Sequence, residues 1–201
     1  MPSDTVVQKL LDHVRRNGVI RAGELAEKGI PSIYLTRLVR DGRLERISRG
    51  LYRLPESDTT EHFTLIQAAK RIPHGVVCLL SALSFHDIST QLPHQIWVAI
   101  ERGKWEAGTR DLPLRLFEFS GKSFHAGIET HEIQGVPVKI YCPAKTVADC
   151  FKYRNKIGLE VALEALRECV RERKCTNQDL WHYAKVCRVA NVMRPYLEAI
   201  A

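Results

Sequence analysis

The sequence predicts an α+β chain on three observations. Short helix-like segments lead into a compact hairpin at the N-terminus, strand-like runs fill the middle, and helical periodicity runs unbroken from Pro143 onward. The expected architecture is an N-terminal winged helix-turn-helix, followed by an α+β domain with a mostly antiparallel sheet and a C-terminal helical run.

Residues 4–16 carry Val7, Leu10, Leu11 and Val14 at helical spacing, and Asn17-Gly18 closes the segment. A second helix is expected in RAGELAEKG, with Leu25 inward and Gly29 as its stop. Pro31-Ser32 opens a third, IYLTRLVRD, ended by Gly42; the Ser32 hydroxyl is expected to accept a free N–H of the first turn. After Gly42 come two short strand-like runs, LERI and LYRL, joined by Ser48-Arg49-Gly50. Three short helices and a hairpin in this order make a winged helix-turn-helix, expected over residues 1–57.

The polar stretch PESDTTE (55–61) is the expected linker to a second domain over 62–201. Helices are expected near 62–72 and 80–87, then strands in QIWVAIE, LPLRLFEF, GIETHEI and VPVKIYC, the last two joined by Gln134-Gly135. The C-terminal helices are PAKTVADCFKY, GLEVALEALRECVRER, TNQDLWHYAKVC and one from about 191. Pro143 suits a first helical turn, and Thr176 with Asp179 three residues later reads as a capping box.

The chain of 201 residues is 45% hydrophobic and 26% charged, which argues against disorder. Its longest apolar run, GVVCLLSAL, falls well short of the roughly 18–20 residues of a membrane helix, and MPSDTVVQKLLDH lacks a secretory pattern. Six cysteines in apolar contexts read as reduced core residues, so a cytoplasmic location is expected. The net charge of +7 is uneven. Residues 1–57 hold 11 Lys/Arg against 7 Asp/Glu, residues 58–150 hold 9 against 10, and residues 151–201 hold 10 against 6. A basic excess of this kind favours polyanions such as nucleic acid.

The stretch YLTRLVRDGRLERISRGLYRL places arginines at 37, 40, 43, 46, 49 and 53. On a helical wheel Leu35, Leu38 and Val39 share one side of the third helix. Ile33, Thr36, Arg37 and Arg40 share the other, at i, i+3, i+4 and i+7. In a helix-turn-helix the second helix of the motif enters the major groove. There Arg reads guanine, Thr bonds a base edge, and Ile meets a thymine methyl. A solvated face is the plain alternative; the exposed isoleucine and the helix's place in the motif favour DNA.

The hairpin admits two registers. A two-residue Arg49-Gly50 turn sets Arg46 against Arg53, which like charges disfavour. A three-residue Ser48-Arg49-Gly50 loop pairs Leu44 with Leu54, Ile47 with Leu51 and Glu45 with Arg53, and is the expected one. Arg46 and Arg49 then stand near the wing tip for phosphates, Arg53 is tied to Glu45, and Arg43 stays unassigned. The expected DNA-binding set is Ser32, Ile33, Thr36, Arg37, Arg40, Arg43, Arg46 and Arg49.

GVIRAGELAEKGIPSIYLTRLVRDGRLERISRGLYRLP resembles the N-terminal winged-helix domain of AbiEi-type antitoxins of bacterial type IV toxin–antitoxin systems. LLSALSFHDIS and QIWVAI extend the resemblance, and IYCPAKTVADCFKYRNKIGLEVALEALRE resembles the C-terminal antitoxin domain. The resemblance implies a repressor that binds operator DNA upstream of its own operon. It also implies a second domain that aids repression and counters a nucleotidyltransferase-like toxin without a stable complex. The alternative is a stand-alone winged-helix transcription regulator whose C-terminal domain senses a ligand or protein partner. Oligomeric state is not legible.

No enzyme is expected. The eight histidines include no HExxH, and no cysteines have CxxC spacing, so neither a metal nor another cofactor is expected. His86, Asp87 and Cys150 lack a positioned third group and read as structural or solvent-facing. Glu101 and Lys104 only faintly resemble a nuclease pair, at the wrong spacing. Arg167, Arg171, Arg173 and Lys174 read as a solvated face, with Glu164 placed to pair with Arg167. Within PAKTVAD, Thr146 is expected to cap or brace the helix start and Lys145 to be exposed.

Overall fold

The computed structural model describes residues 3–27, 29–55, 62–104 and 112–200; residues 56–61 of the expected linker lie outside them. The chain divides into two compact units. The first comprises 1–73 with 107–112 and 131–138; the second comprises 74–106, 113–130 and 139–201.

In the first unit the element order is α1 (Ser3–Asn17), β1 (Val19–Arg21), α2 (Ala22–Glu27), α3 (Ile33–Arg40), β2 (Glu45–Ser48), β3 (Leu51–Arg53) and α4 (Phe63–Arg71). The three expected helices are present. Leu10, Leu11 and Val14 of α1, Leu25 of α2, and Leu35 and Leu38 of α3 bury together with Ile20 and Leu44 in one core. Helical spacing brings these side chains to one face of each helix, and the shared core holds three helices too short to stand alone in water.

The sheet order is β1-β3-β2, with β3 antiparallel to both neighbours. Strand β1 was not expected. Three residues are too few to show alternation, and Val19, Ile20 and Arg21 become a strand only by pairing with Arg53, Tyr52 and Leu51.

Helix α3 ends in a Schellman motif. The Arg43 amide donates to the Leu38 carbonyl at 2.8 Å and the Gly42 amide to Val39 at 3.1 Å, with Gly42 at φ 69°. Its start differs from expectation. Ser32 occupies the N-cap position, but its backbone is already helical (φ −62°, ψ −16°) and its hydroxyl makes no cap bond. Capping by a side chain requires extended dihedrals there. The carbonyls of Pro31 and Ser32 instead accept from the Tyr34 and Leu35 amides, so the turn begins earlier.

The second unit contains β4 (Val76–Val77), α5 (Leu79–Phe85), β5 (Ile96–Glu101), β6 (Leu114–Phe119) and α6 (Lys122–His125). Strands β7 (Ile128–Ile133) and β8 (Val136–Tyr141) follow, each with one end in each unit. Then come α7 (Pro143–Lys152), α8 (Arg154–Ile157), α9 (Leu159–Arg171), α10 (Asn177–Val186) and α11 (Ala190–Ala199). The five-stranded sheet has the order β6-β5-β4-β8-β7. This is the expected α+β fold, and the sheet is mixed. Strand β4 is antiparallel to β5, the Gln134-Gly135 connection makes β7 and β8 antiparallel, and the β4–β8 and β5–β6 pairs are parallel.

Helix α7 is the centre of this unit, buried at every residue from Ala144 to Phe151. Pro143 stands in its first turn as expected. Lys145, expected at the surface, is fully buried. Its ammonium donates to Asp149 Oδ2 at 2.5 Å and lies 4.1 Å from the Tyr141 ring centroid. The i, i+4 spacing places both charges on the same inward face of the helix. Burial pushes the Asp149 carboxyl above its usual range, with the Lys145 ammonium opposing that shift. Cys187 Sγ donates to the other carboxylate oxygen at 3.2 Å. Farther along, α10 carries the expected capping box, with Asp179 N donating to Thr176 Oγ1 at 3.1 Å and Thr176 N to Asp179 Oδ2 at 3.0 Å.

Two stability predictions follow from these contacts. Lys145→Ala leaves Asp149 buried without its counter-ion and is expected to cost about 3–5 kcal/mol in urea unfolding. The double replacement Lys145→Met with Asp149→Leu is expected to recover most of that loss. In the first unit, nothing lies within 4 Å of a Cβ built on Gly42. Gly42→Ala therefore isolates the left-handed backbone penalty, about 1–2 kcal/mol. Gly23→Ala, in α2 with ordinary backbone and only an ordinary van der Waals contact to Arg21 Nε at 3.7 Å, is expected to be neutral or stabilising by up to about 1 kcal/mol.

Candidate nucleic-acid interface

Helix α3 buries Leu35 and Leu38 and turns Ile33, Thr36, Arg37 and Arg40 outward. Ile33 is 51% exposed, a large apolar side chain left in water at the helix start. The strip therefore has the composition and the exposure expected of it, with Ser32 exposed at its head. Arg40 Nε donates to the neighbouring Asp41 carboxylate at 3.2 Å; both side chains are open to solvent, so the contact is cheap to exchange. Among the described residues, Arg37 has no ion-pair partner.

The wing differs from the expected hairpin in one respect. Glu45 faces Arg53 and Arg46 faces Tyr52, as the three-residue loop required, but Ser48 rather than Ile47 pairs with Leu51. The chain turns through only Arg49 and Gly50, and a bulge between Arg46 and Ser48 absorbs the extra residue. A bulge sets two residues against one and so shifts the register by one position. The two-residue turn can thus coexist with the favourable Glu45–Arg53 pairing. Gly50 has φ 76°, suited to such a tight connection.

The tip is anchored from two sides. The Ala22 amide, at the start of α2, donates to the Gly50 carbonyl at 2.8 Å, and Arg71 Nη1 of α4 donates to the Arg49 carbonyl at 2.9 Å. Both tethers use main-chain oxygens and leave the Arg49 side chain exposed. Arg46 is exposed as well, with its Nε donating to the Ser48 carbonyl at 3.3 Å. Arg53 is structural: its Nε donates to Glu45 Oε2 at 3.0 Å and its guanidinium stands 5.2 Å from the Phe63 ring centroid. Arg43 is exposed directly after the α3 cap, between strip and wing.

The arrangement is a helix face and a braced loop, both presenting cations that, among the described residues, no carboxylate covers except at Asp41. Reasoning from the sequence missed the contribution of Arg71. Its position as the last residue of an amphipathic helix carries no sign that it reaches a loop 22 residues earlier.

The remaining side chains considered from the sequence lie elsewhere. His86 is buried and its Nε2 contacts the Tyr141 carbonyl at 2.8 Å, so Nε2 carries the proton. Thr146 Oγ1 donates to that same carbonyl at 3.1 Å and braces the start of α7. Cys150 is fully buried, which pushes its thiol well above the usual range. All six cysteines are free thiols. Glu101 pairs with Lys104 at 2.7 Å and contacts His125 at 3.1 Å. The hydrogen bond from Lys104 lowers its carboxyl pKa. Glu164 accepts from the Thr90 amide and hydroxyl at 2.7 and 2.9 Å instead of meeting Arg167. Among the described residues, no group of three His, Cys, Asp or Glu side chains is placed to hold a metal ion, and no helix is long and apolar enough to cross a membrane.

A crystal structure of the RV2827C protein from Mycobacterium tuberculosis superposes on this chain with a TM-score of 0.61 at 14% sequence identity, covering 90% of this chain and 70% of that one. At that identity the likeness concerns the fold. No curated protein sequence matches the chain. Residues 8–55 match the sequence model of a family described as "Transcriptional regulator, AbiEi antitoxin". That span runs from α1 through the wing and contains every residue of the exposed strip, so the likeness to AbiEi antitoxin transcriptional regulators concerns this winged-helix segment.

Proposed function

We propose that the protein is a sequence-specific DNA-binding repressor that acts as a type IV antitoxin in the cytoplasm. In this reading residues 1–57 bind operator DNA upstream of the protein's own operon. Residues 62–201 form the domain that aids repression and counters a nucleotidyltransferase-like toxin without a stable complex. The observation that carries the DNA part is the exposed α3 strip beside a wing tip braced through main-chain oxygens. Bracing matters because a loop already ordered loses little conformational entropy on binding.

The roles divide by geometry. Arg37 and Arg40 reach base edges from α3, where a bidentate guanidinium distinguishes guanine. Thr36 bonds a base edge and Ile33 meets a thymine methyl. Ser32 at the helix start, Arg43 after it, and Arg46 and Arg49 on the wing engage the backbone, where contacts position without specifying. Arg40 exchanges Asp41 for its DNA partner.

The antitoxin part rests on the family match over residues 8–55 and on the resemblance of the PAKTVAD region. A second reading, a stand-alone regulator whose C-terminal domain senses a ligand or partner, is favoured by the same match stopping at residue 55. Co-expression with the neighbouring gene product separates them. Rescue of growth by the full chain supports the antitoxin, and failure to rescue against a toxic neighbour refutes it.

Footprinting on the protein's own upstream region is expected to show a protected site at moderate salt; no protection there removes the repressor reading. Arg37→Ala is expected to relax base preference by about 1–3 kcal/mol at the position it reads. Arg49→Ala is expected to weaken all sequences alike and to reduce the slope of log affinity against log salt by about 1. Equal loss on all sequences from Arg37→Ala would instead place that side chain on a phosphate.

A further inference from the structure

We propose that the second unit holds a binding site for a nucleoside polyphosphate, a small ligand joining two or more phosphates to an organic part. The site is a cleft of about 880 Å³, within the range that takes a small organic molecule. Three separate segments form it: the turn leading into α6, the α7–α8 junction and the connection from α10 to α11.

Every charged side chain lining the cleft is a cation: Lys122, Lys152, Arg154, Lys185 and Arg188. None of the five is in a salt bridge with a described residue. Lys152 Nζ donates to Ser123 Oγ at 3.2 Å and Arg154 Nη1 to the Phe151 carbonyl at 2.9 Å. Both acceptors are neutral, so they orient the cations without cancelling their charge. Five like charges around one recess repel each other, and the concave wall concentrates their field. A multiply charged anion is the ligand that relieves this arrangement, and phosphates accept from Lys and Arg in the strongest class of hydrogen bond.

The recess has a second part. Val186, Val189 and Val192 line it on the α10–α11 side, and Ser123, Cys187 and Val189 are themselves buried at its floor. Three of the cations come from the α6 turn and the α7–α8 junction, and the α10–α11 side adds Lys185 and Arg188 beside its valines. This mix of charge and apolar surface matches a ligand with a phosphate chain and an apolar-faced base. A DNA duplex presents its phosphates on a convex rod and would leave the floor and the valines unfilled. The site lies wholly within the second unit, and the inference is independent of the DNA reading of the first.

Isothermal titration calorimetry on the full chain tests this, with inorganic triphosphate and ATP as probes. Saturable 1:1 binding of both is expected, with ATP at least as tight. Lys122→Gln and Lys185→Gln, both at exposed positions, are each expected to weaken binding about tenfold, the equivalent of one charge-assisted hydrogen bond. Circular dichroism confirms that these variants fold, and Arg37→Ala and Arg49→Ala should leave the affinity unchanged. The proposal is overturned by the absence of saturable binding at millimolar probe. Binding of triphosphate but not ATP also overturns it, as does full affinity in the Lys122→Gln, Lys185→Gln double variant. Loss of binding with the α3 or wing variants would place the anion on the DNA surface instead. An oligonucleotide that binds through Lys122 and Lys185 where triphosphate does not would make the cleft a nucleic-acid groove.

Discussion

Strand β3 has neighbours on both sides, and its pairing decides where the cations of the first unit point. Leu51 is fully buried, with Arg21 of β1 opposite it on one side and Ser48 of β2 on the other. A slip of one residue would turn the buried Leu51 to the other face of the sheet, so the core specifies the register strongly. Once it is set, Glu45 lies across from Arg53 and the bulge follows, because a two-residue turn leaves one residue to accommodate. The exposed positions of Arg46 and Arg49 are consequences of apolar packing on the other face of the sheet. The two main-chain tethers at the tip then hold the loop without using either guanidinium.

The second unit is organised around a polar centre. The Tyr141 carbonyl accepts from His86 and Thr146, its hydroxyl donates to the Phe124 carbonyl at 2.6 Å, and its ring faces the Lys145 ammonium. An ion pair taken fully out of water seldom adds net stability, since the desolvation cost offsets the attraction. Its effect here is on arrangement. Asp149 is met by Lys145 from its own helix and by Cys187 from the end of α10, and a packing that separated them would strand a buried charge.

The longer helices were legible because their apolar residues recur at helical spacing, and the Thr176–Asp179 cap because its chemistry is local; the four-residue α6 and α8 were not expected. The exposed strip of α3 was legible for the same reason. What escaped was set by partners distant in sequence. Strand β1 and the two-residue β4 are strands only by virtue of the neighbours that pair with them. The bulge at Ile47 depends on balancing a turn against a cross-strand ion pair, and the two plain registers did not include it. Lys145 reads as a surface residue by type, and its burial is visible only with Asp149 one turn on and the Tyr141 ring beneath it. The Arg71 tether left no local trace. At Ser32 the residue type promised a cap that the backbone conformation does not use.

The burial of α7 bears on what a likeness in this region means. Ala144 through Phe151 are buried, so a partner cannot touch this stretch of the second unit. Letters shared there with another chain would record a common solution to packing a charged pair inside a helix cluster. They are silent about whom the protein meets. Partner choice belongs to the outer faces of the surrounding helices and the cleft rim, where replacements leave the core intact and lineages are free to diverge. Two chains with the same PAKTVAD-like helix can therefore answer to different partners, and the unfamiliar residues are the ones to compare.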